Sequence, residues 1–136
     1  MFEMVLGHFI GDYLLQPKDM AMMKTKNTFY GWMMCILHCF LYTVCVCLMM
    51  QIFTPIWVAI VFFSHFFIDK FSLGEHWLRI IGGRSLKSTV EEYSDQSVDE
   101  VVRVYGVSFS SLVYTIVDNT WHILLMYVGY KLLFGV

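Results

Sequence analysis

Apolar and polar positions in this chain separate at the scale of whole segments, with long apolar runs punctuated by short polar stretches. Residues 29–53 form one run, broken in earnest only by His38, and a helix of roughly 20 residues crosses a hydrocarbon layer about 30 Å thick. The next run, 55–71, opens on Pro55, a residue suited to the first helical turn, and carries His65 and Asp69 toward its far end. So short a link between the two predicts an antiparallel hairpin. Residues 107–134 make a further run, and residues 1–16 a shorter one that holds His8 and Asp12 and is stopped by Pro17. Between them, residues 72–106 turn polar: 74–81 read as interfacial, Gly82 and Gly83 break that stretch, and 91–100 are acidic. Ser97 followed by Glu100 is a capping-box signature, so a helix is expected to start near Val98 and to continue or kink at Gly106. The pattern predicts an all-α fold: a single polytopic membrane domain, a helical bundle of about four transmembrane helices plus an interfacial or cytoplasmic helical loop. No repeat of fixed period is visible.

Composition strengthens the membrane reading. Of 136 residues, 58% are apolar and 15% charged, against roughly 45–50% and about 25% in soluble domains. A domain of this size cannot hide that excess inside itself, so the lipid bilayer is the expected partner. The net charge of −2, with no basic stripe, argues against nucleic acid. Residues 1–16 lack a basic leading region and a small-residue cleavage site, so they are expected to belong to the mature chain. Cys35, Cys39, Cys45 and Cys47 sit in one apolar run without a metal-finger spacing and read as small membrane residues. Lys18, Lys24 and Lys26 fall in the first inter-span segment, and Lys70, Arg79, Arg84, Lys87 and Arg103 in or beside the third. The positive-inside bias then predicts cytoplasmic long loops and both termini outside.

Ionisable groups inside the runs carry the candidate chemistry. Aspartates at helix centres cost about 2.5–3.5 kcal/mol each on insertion scales, whereas interhelical polar contacts return about 0.6 kcal/mol on average. Asp12, Asp69 and Asp118 are therefore poorly explained as polar glue. His8-Phe9-Ile10-Gly11-Asp12 and His65-Phe66-Phe67-Ile68-Asp69 share a pattern, and Asp118-Asn119-Thr120-Trp121-His122 reverses it. Residues four apart share a helical face. Counted from the cytoplasmic ends, His8, His38, His65 and Asp118 all fall roughly 13–18 Å deep at 1.5 Å per residue. A converging set of His8, Asp12, His38, His65, Asp69, Asp118 and His122 has the donors of a site for one or two divalent transition metals, zinc first, with iron and manganese as alternatives. Asp12, Asp69 and Asp118 are the candidates for catalytic base or bridge. A lone intramembrane histidine is more often an ordinary hydrogen-bonded residue, but seven groups at matched depth favour a metal. His76 reads as interfacial. Tyr13, Gln16 and Asn119 are either supporting donors or helix-packing residues. Lys18, Lys24, Lys26 and Lys70 mark the headgroup level, with Gln16, Lys24 and Lys70 the candidates for holding an anionic substrate.

With HFIGDYLLQPKDMAMMK, the lone His38, HFFIDK and DNTWH in view, nearly the whole chain resembles the small bacterial and phage membrane proteins grouped as domain of unknown function 3307. That family's last motif usually reads D-Q-x-x-H; Asn119 stands here in place of the glutamine, while Asp118 and His122 match. More distantly, the chain is similar to inner-membrane proteins described as metal-dependent hydrolases, which implies a bacterial inner-membrane location. The function expected is metal-dependent hydrolysis of a small amphiphilic or lipid-linked substrate near the cytoplasmic leaflet. The alternatives are a proton- or metal-ion-linked transporter, and a non-catalytic, phage-encoded membrane protein that binds a host partner. Neither the substrate nor the oligomeric state follows from the sequence.

Overall fold

A computed structural model of the chain describes residues 1–83, 85–92 and 100–135. Among the described residues it is all-α, with no strand. Helix α1 (Phe2–Phe9) runs on into a π-helical turn, Ile10–Leu14, before Pro17 redirects the backbone into the short α2 (Lys18–Met23). Thr28 caps α3 (Phe29–Met50), its hydroxyl accepting from the Gly31 amide at 3.1 Å. Gln51, in the left-handed conformation at φ 56°, closes α3, and α4 (Pro55–Phe71) starts on Pro55 as expected. The other elements are α5 (Leu73–Gly82), α6 (Leu86–Glu92) and α7 (Glu100–Phe134).

The expected hairpin of residues 29–53 and 55–71 is thus α3 and α4, and the last run is the greater part of α7. Two expectations need adjustment, the length of the first span and the number of spans. Residues 1–16 yield eight α-helical residues and five π-helical ones, which is short for a 30 Å hydrocarbon layer even at about 1.5 Å per residue. The helical loop expected at 72–106 takes shape, among the described residues, as α5, α6 and the start of α7, which continues through Gly106 as one of the two expected courses. Gly83, at φ +59°, ends α5 at the expected break. The cap at Ser97 and the start near Val98 lie outside the described residues. By length and composition, α3 and α7 can each cross a membrane, and α4, with 17 residues, reaches that length only when taken with α5, so the described residues offer two or three spans where about four were expected.

The chain divides into two compact units. In the second, Leu73–Trp121, the Trp77 and Trp121 rings meet edge to face at 5.2 Å and Ser85 donates to Glu75. Ile80 and Ile81 on α5 stay exposed, in keeping with the interfacial character expected of residues 74–81.

The first unit combines Met1–Ser72 with the chain from His122 onward. Two glycines a turn apart let α1 approach α3. A Cβ at Gly7 would stand 2.9 Å from Val46 Cα, and one at Gly11 2.8 Å from Tyr42 Cδ2. Close approach through small residues at this spacing is a recurrent way of packing helices in lipid. Each helix then presents one buried stripe that changes character along its length: Met4 to His8 on α1, leading to the half-buried Asp12 in the π-helical turn, Val46 to Tyr42 to His38 on α3, Trp57 and Val61 to His65 and Asp69 on α4, and Met126 to His122 on α7. Met4, Val46, Trp57, Val61 and Met126 gather into an apolar core beside Tyr42, and the ionisable ends meet beyond it. Outward, Phe29, Ile36, Phe40, Leu48, Phe63 and Phe67 are exposed, an apolar surface far larger than single scattered residues produce.

Candidate metal centre

Helical spacing explains how α4 supplies two donors: His65 and Asp69 are four residues apart and fall on one face, which the stripe of Trp57 and Val61 buries. Asp12 is delivered differently, from within the π-helical turn, a local widening that natural helices often reserve for functional sites. His38 comes from the centre of α3.

These residues converge on four atoms. His38 Nε2 and His65 Nε2 lie 2.9 Å apart. Asp12 Oδ1 stands 3.2 Å from the first and 3.4 Å from the second. Asp69 Oδ2 stands 3.1 and 3.2 Å from the same two nitrogens. Ligand atoms held tetrahedrally at zinc–nitrogen or zinc–oxygen distances of about 2.0–2.1 Å are separated from one another by roughly 3.3–3.4 Å. The Asp12 Oδ1 to His65 Nε2 distance matches that edge, and the other four, at 2.9–3.2 Å, are shorter and lie at hydrogen-bond separation. Asp12 Oδ1 is buried and makes no hydrogen bond, although two imidazole nitrogens face it. An orphaned carboxylate oxygen beside two imidazoles is what a cation-binding cluster leaves when the cation is taken away, so the residues fit a divalent metal. Two groups of donors capable of holding an ion are made up within this unit: Asp12, His38 and His65, and Cys39, His65 and Asp69, each with its ligand atoms within 4.8 Å of one another.

An outer ring orients the quartet. His8 Nδ1 lies 3.0 Å from the Tyr42 hydroxyl and 3.4 Å from Asp12 Oδ2, while its ring stacks on His122 at 5.5 Å. His122 Nε2 is 3.6 Å from Asp69 Oδ1. Tyr42 donates to Met126 Sδ at 3.2 Å and stacks on the His65 ring at 3.6 Å, which fixes the plane of that imidazole. Lys24 Nζ donates to Asp69 Oδ2 at 2.7 Å. Gln16 completes the ring in the orientation that its donors and acceptors select: its amide nitrogen meets the Asp12 carbonyl at 3.2 Å and its oxygen faces Lys24 Nζ at 3.1 Å and the His38 ring at 3.2 Å. The ring is buried except near Asp12 and Lys24, whose side chains are 12% and 15% exposed, so access is from the side of the α1–α2 link.

Of the expected site residues, His8, Asp12, His38, His65, Asp69 and His122 come together, with Gln16 and Lys24 at their edge. Asp118 belongs to the second unit, where it packs against Gly74, and sits one turn before His122 on α7. Lys70 is turned to the backbone: its ammonium donates to the carbonyls of Lys24 and Lys26 and lies 4.2 Å from the Trp32 ring centre, tying down the segment that carries Lys24. Tyr13 is exposed, and the Asn119 amide donates along its own helix to the Thr115 carbonyl. Tyr42 carries no signal in the sequence and Cys39 reads there as a small membrane residue, although each is within one turn of His38.

Fold and centre together define a small all-α protein in which four helices converge on a buried histidine–carboxylate cluster. The chain belongs to the family described as protein of unknown function (DUF3307), whose profile matches residues 1–135. Neither a curated protein nor a solved structure matches it.

Proposed function

We propose that this chain is an intramembrane metal-dependent hydrolase that acts on an amphiphilic, lipid-linked substrate at the cytoplasmic leaflet of the bacterial inner membrane. The observation that carries this reading is the gathering of two imidazole nitrogens and two carboxylate oxygens, with His38 Nε2 and His65 Nε2 each 2.9–3.4 Å from one another and from Asp12 Oδ1 and Asp69 Oδ2. A divalent ion held there would supply Lewis acidity and bring the pKa of water toward about 7. His38 and His65 would hold the ion with Asp12 and Asp69, and the Asp69 oxygen faced by His122 would take a proton from the attacking water. His8 and Tyr42 keep Asp12 and His65 in register. Lys24 and Gln16, at the accessible edge, meet the anionic part of the substrate, a phosphate or an ester close to a headgroup. Asp118, a turn before His122 on the same helix, is the third candidate carboxylate.

On this reading the chain crosses the membrane four times with α1 as a short span, both termini lie outside, and the lysine-bearing segments lie in the cytoplasm with this edge near the headgroups. Proton or metal-ion transport would need ionisable groups continuing through the bundle, and past the cluster the core consists of Met4, Val46, Trp57, Val61 and Met126. Hydrolysis therefore takes precedence over transport, and over a purely partner-binding role.

Elemental mass spectrometry of detergent-purified protein tests the proposal. Stoichiometric zinc, manganese or iron is expected in the wild type and is expected to be lost in His65→Ala and Asp12→Ala, with Asp118→Ala deciding whether that residue contributes. Screening lipid phosphates and esters for metal-dependent cleavage follows. A folded protein that takes up no metal even on reconstitution overturns the reading.

A further inference from the structure

We infer that Cys39 is a thiolate ligand to the ion, so that the centre is a mixed nitrogen, oxygen and sulfur site selective for zinc-like borderline metals over manganese; the inference rests on the metal reading above. Three observations carry it. Cys39 lies on the buried stripe of α3, fully enclosed, beside His38 and one turn from Tyr42. A ligand atom from each of Cys39, His65 and Asp69 falls within 4.8 Å of the others, and this group shares His65 with the group of Asp12 and His38. The hairpin of α3 and α4 thereby brings a thiol to the same histidine and carboxylate that face His38, and adds sulfur to the nitrogen and oxygen donors of the centre.

The chemistry of that donor set narrows the metal. Hard cations such as magnesium and manganese favour carboxylate, carbonyl and water oxygens, whereas a thiolate beside imidazoles suits zinc and cobalt. Zinc accepts sulfur at about 2.3 Å and nitrogen at about 2.0–2.1 Å in the same tetrahedron. Cys45 and Cys47, on the same helix but farther along toward the apolar core, belong to neither donor group and supply internal controls.

Cobalt(II) substitution of the purified full-length protein is the test, because cobalt reports its ligands by colour. Visible ligand-field bands show that the ion is bound, and a near-ultraviolet sulfur-to-cobalt charge-transfer band shows that a thiolate is among the ligands. The wild type is expected to show both. Cys39→Ser is expected to keep helical content and size-exclusion behaviour, to lose the charge-transfer band, and to bind zinc at least tenfold more weakly. Cys45→Ser is expected to keep both bands. Ligand-field bands without charge transfer in the wild type, or a charge-transfer band that survives in Cys39→Ser, overturn the assignment while leaving the metal centre standing. No cobalt bound at all overturns the metal reading and this inference with it.

Discussion

His38 Nε2 and His65 Nε2 lie 2.9 Å apart, one from α3 and one from α4, with a carboxylate oxygen from Asp12 and another from Asp69 within 3.4 Å of both. Two imidazole nitrogens and two carboxylate oxygens held this close repel one another unless protons or a cation stand among them. Lys24 offsets part of this charge from outside, through its hydrogen bond to Asp69. A divalent ion at the centre would convert every one of those repulsions into a ligand bond.

Replacing His65 by Ala is therefore expected to abolish metal uptake, since His65 belongs to both donor groups of the first unit. Elemental content should fall from stoichiometric to background. His38→Ala should weaken binding strongly but less completely, because the group of Cys39, His65 and Asp69 remains intact.

Tyr42→Phe separates positioning from ligation. The ring that stacks on His65 at 3.6 Å is kept, while the hydroxyl that meets His8 Nδ1 and Met126 Sδ is removed. Loss of outer partners typically weakens metal binding by about 10–100-fold, and a buried hydrogen bond contributes about 0.5–1.5 kcal/mol. The expected result is a folded protein, slightly less stable in thermal unfolding, with metal affinity lowered within that range and stoichiometry unchanged.

Gly11→Ala tests whether α1 must touch α3 for the centre to form. The added Cβ would meet Tyr42 Cδ2 at 2.8 Å and Tyr42 Cα at 3.1 Å, so the helix has to retreat or Tyr42 has to turn. Overpacking of this kind costs about 1–3 kcal/mol. Thermal unfolding in detergent should show that loss, and metal content should drop with it, because Asp12 is the next residue along the chain. Unchanged metal content would mean that Asp12 is dispensable.

Much of the centre was legible because helical periodicity makes it so. His65 and Asp69, and His8 and Asp12, repeat at a spacing of four, and a histidine within an apolar run such as 29–53 is conspicuous by the cost of burying it. Tyr42 and Cys39 were not legible, since aromatic and thiol side chains in an apolar run look like core filler until a neighbouring helix is placed against them. The π-helical turn at Ile10–Leu14 leaves no periodic signature, and without it Asp12 would sit at a different angle on α1. Lys24 reaches Asp69 across 45 positions of sequence through the path of the 15–28 segment, a relationship no local pattern encodes. Leu73–Gly82 and Leu86–Glu92 are helical, in line with the helical loop expected there, because polar residues with good helix propensity specify helix as readily as apolar ones do.

The contact between Lys24 and Asp69 yields the least intuitive expectation. Lys24 Nζ donates at 2.7 Å to Asp69 Oδ2, the same oxygen that faces His38 and His65. An ammonium and a metal ion compete for that oxygen, so some of the metal's binding energy goes into displacing or loosening the lysine. A hydrogen bond between charged groups contributes about 1.5–3 kcal/mol, and every 1.4 kcal/mol is a factor of about ten in affinity. Partial exposure of Lys24 argues for the lower end. Lys24→Met should then bind zinc about tenfold more tightly than the wild type in a calorimetric titration, while cleaving anionic lipid-linked substrates more slowly for want of the cation at the accessible edge. Tighter metal binding with slower turnover would separate the two roles of the lysine within one variant. Unchanged affinity would mean that the ion does not take Asp69 Oδ2, and would leave Asp12, His38 and His65 as its ligands.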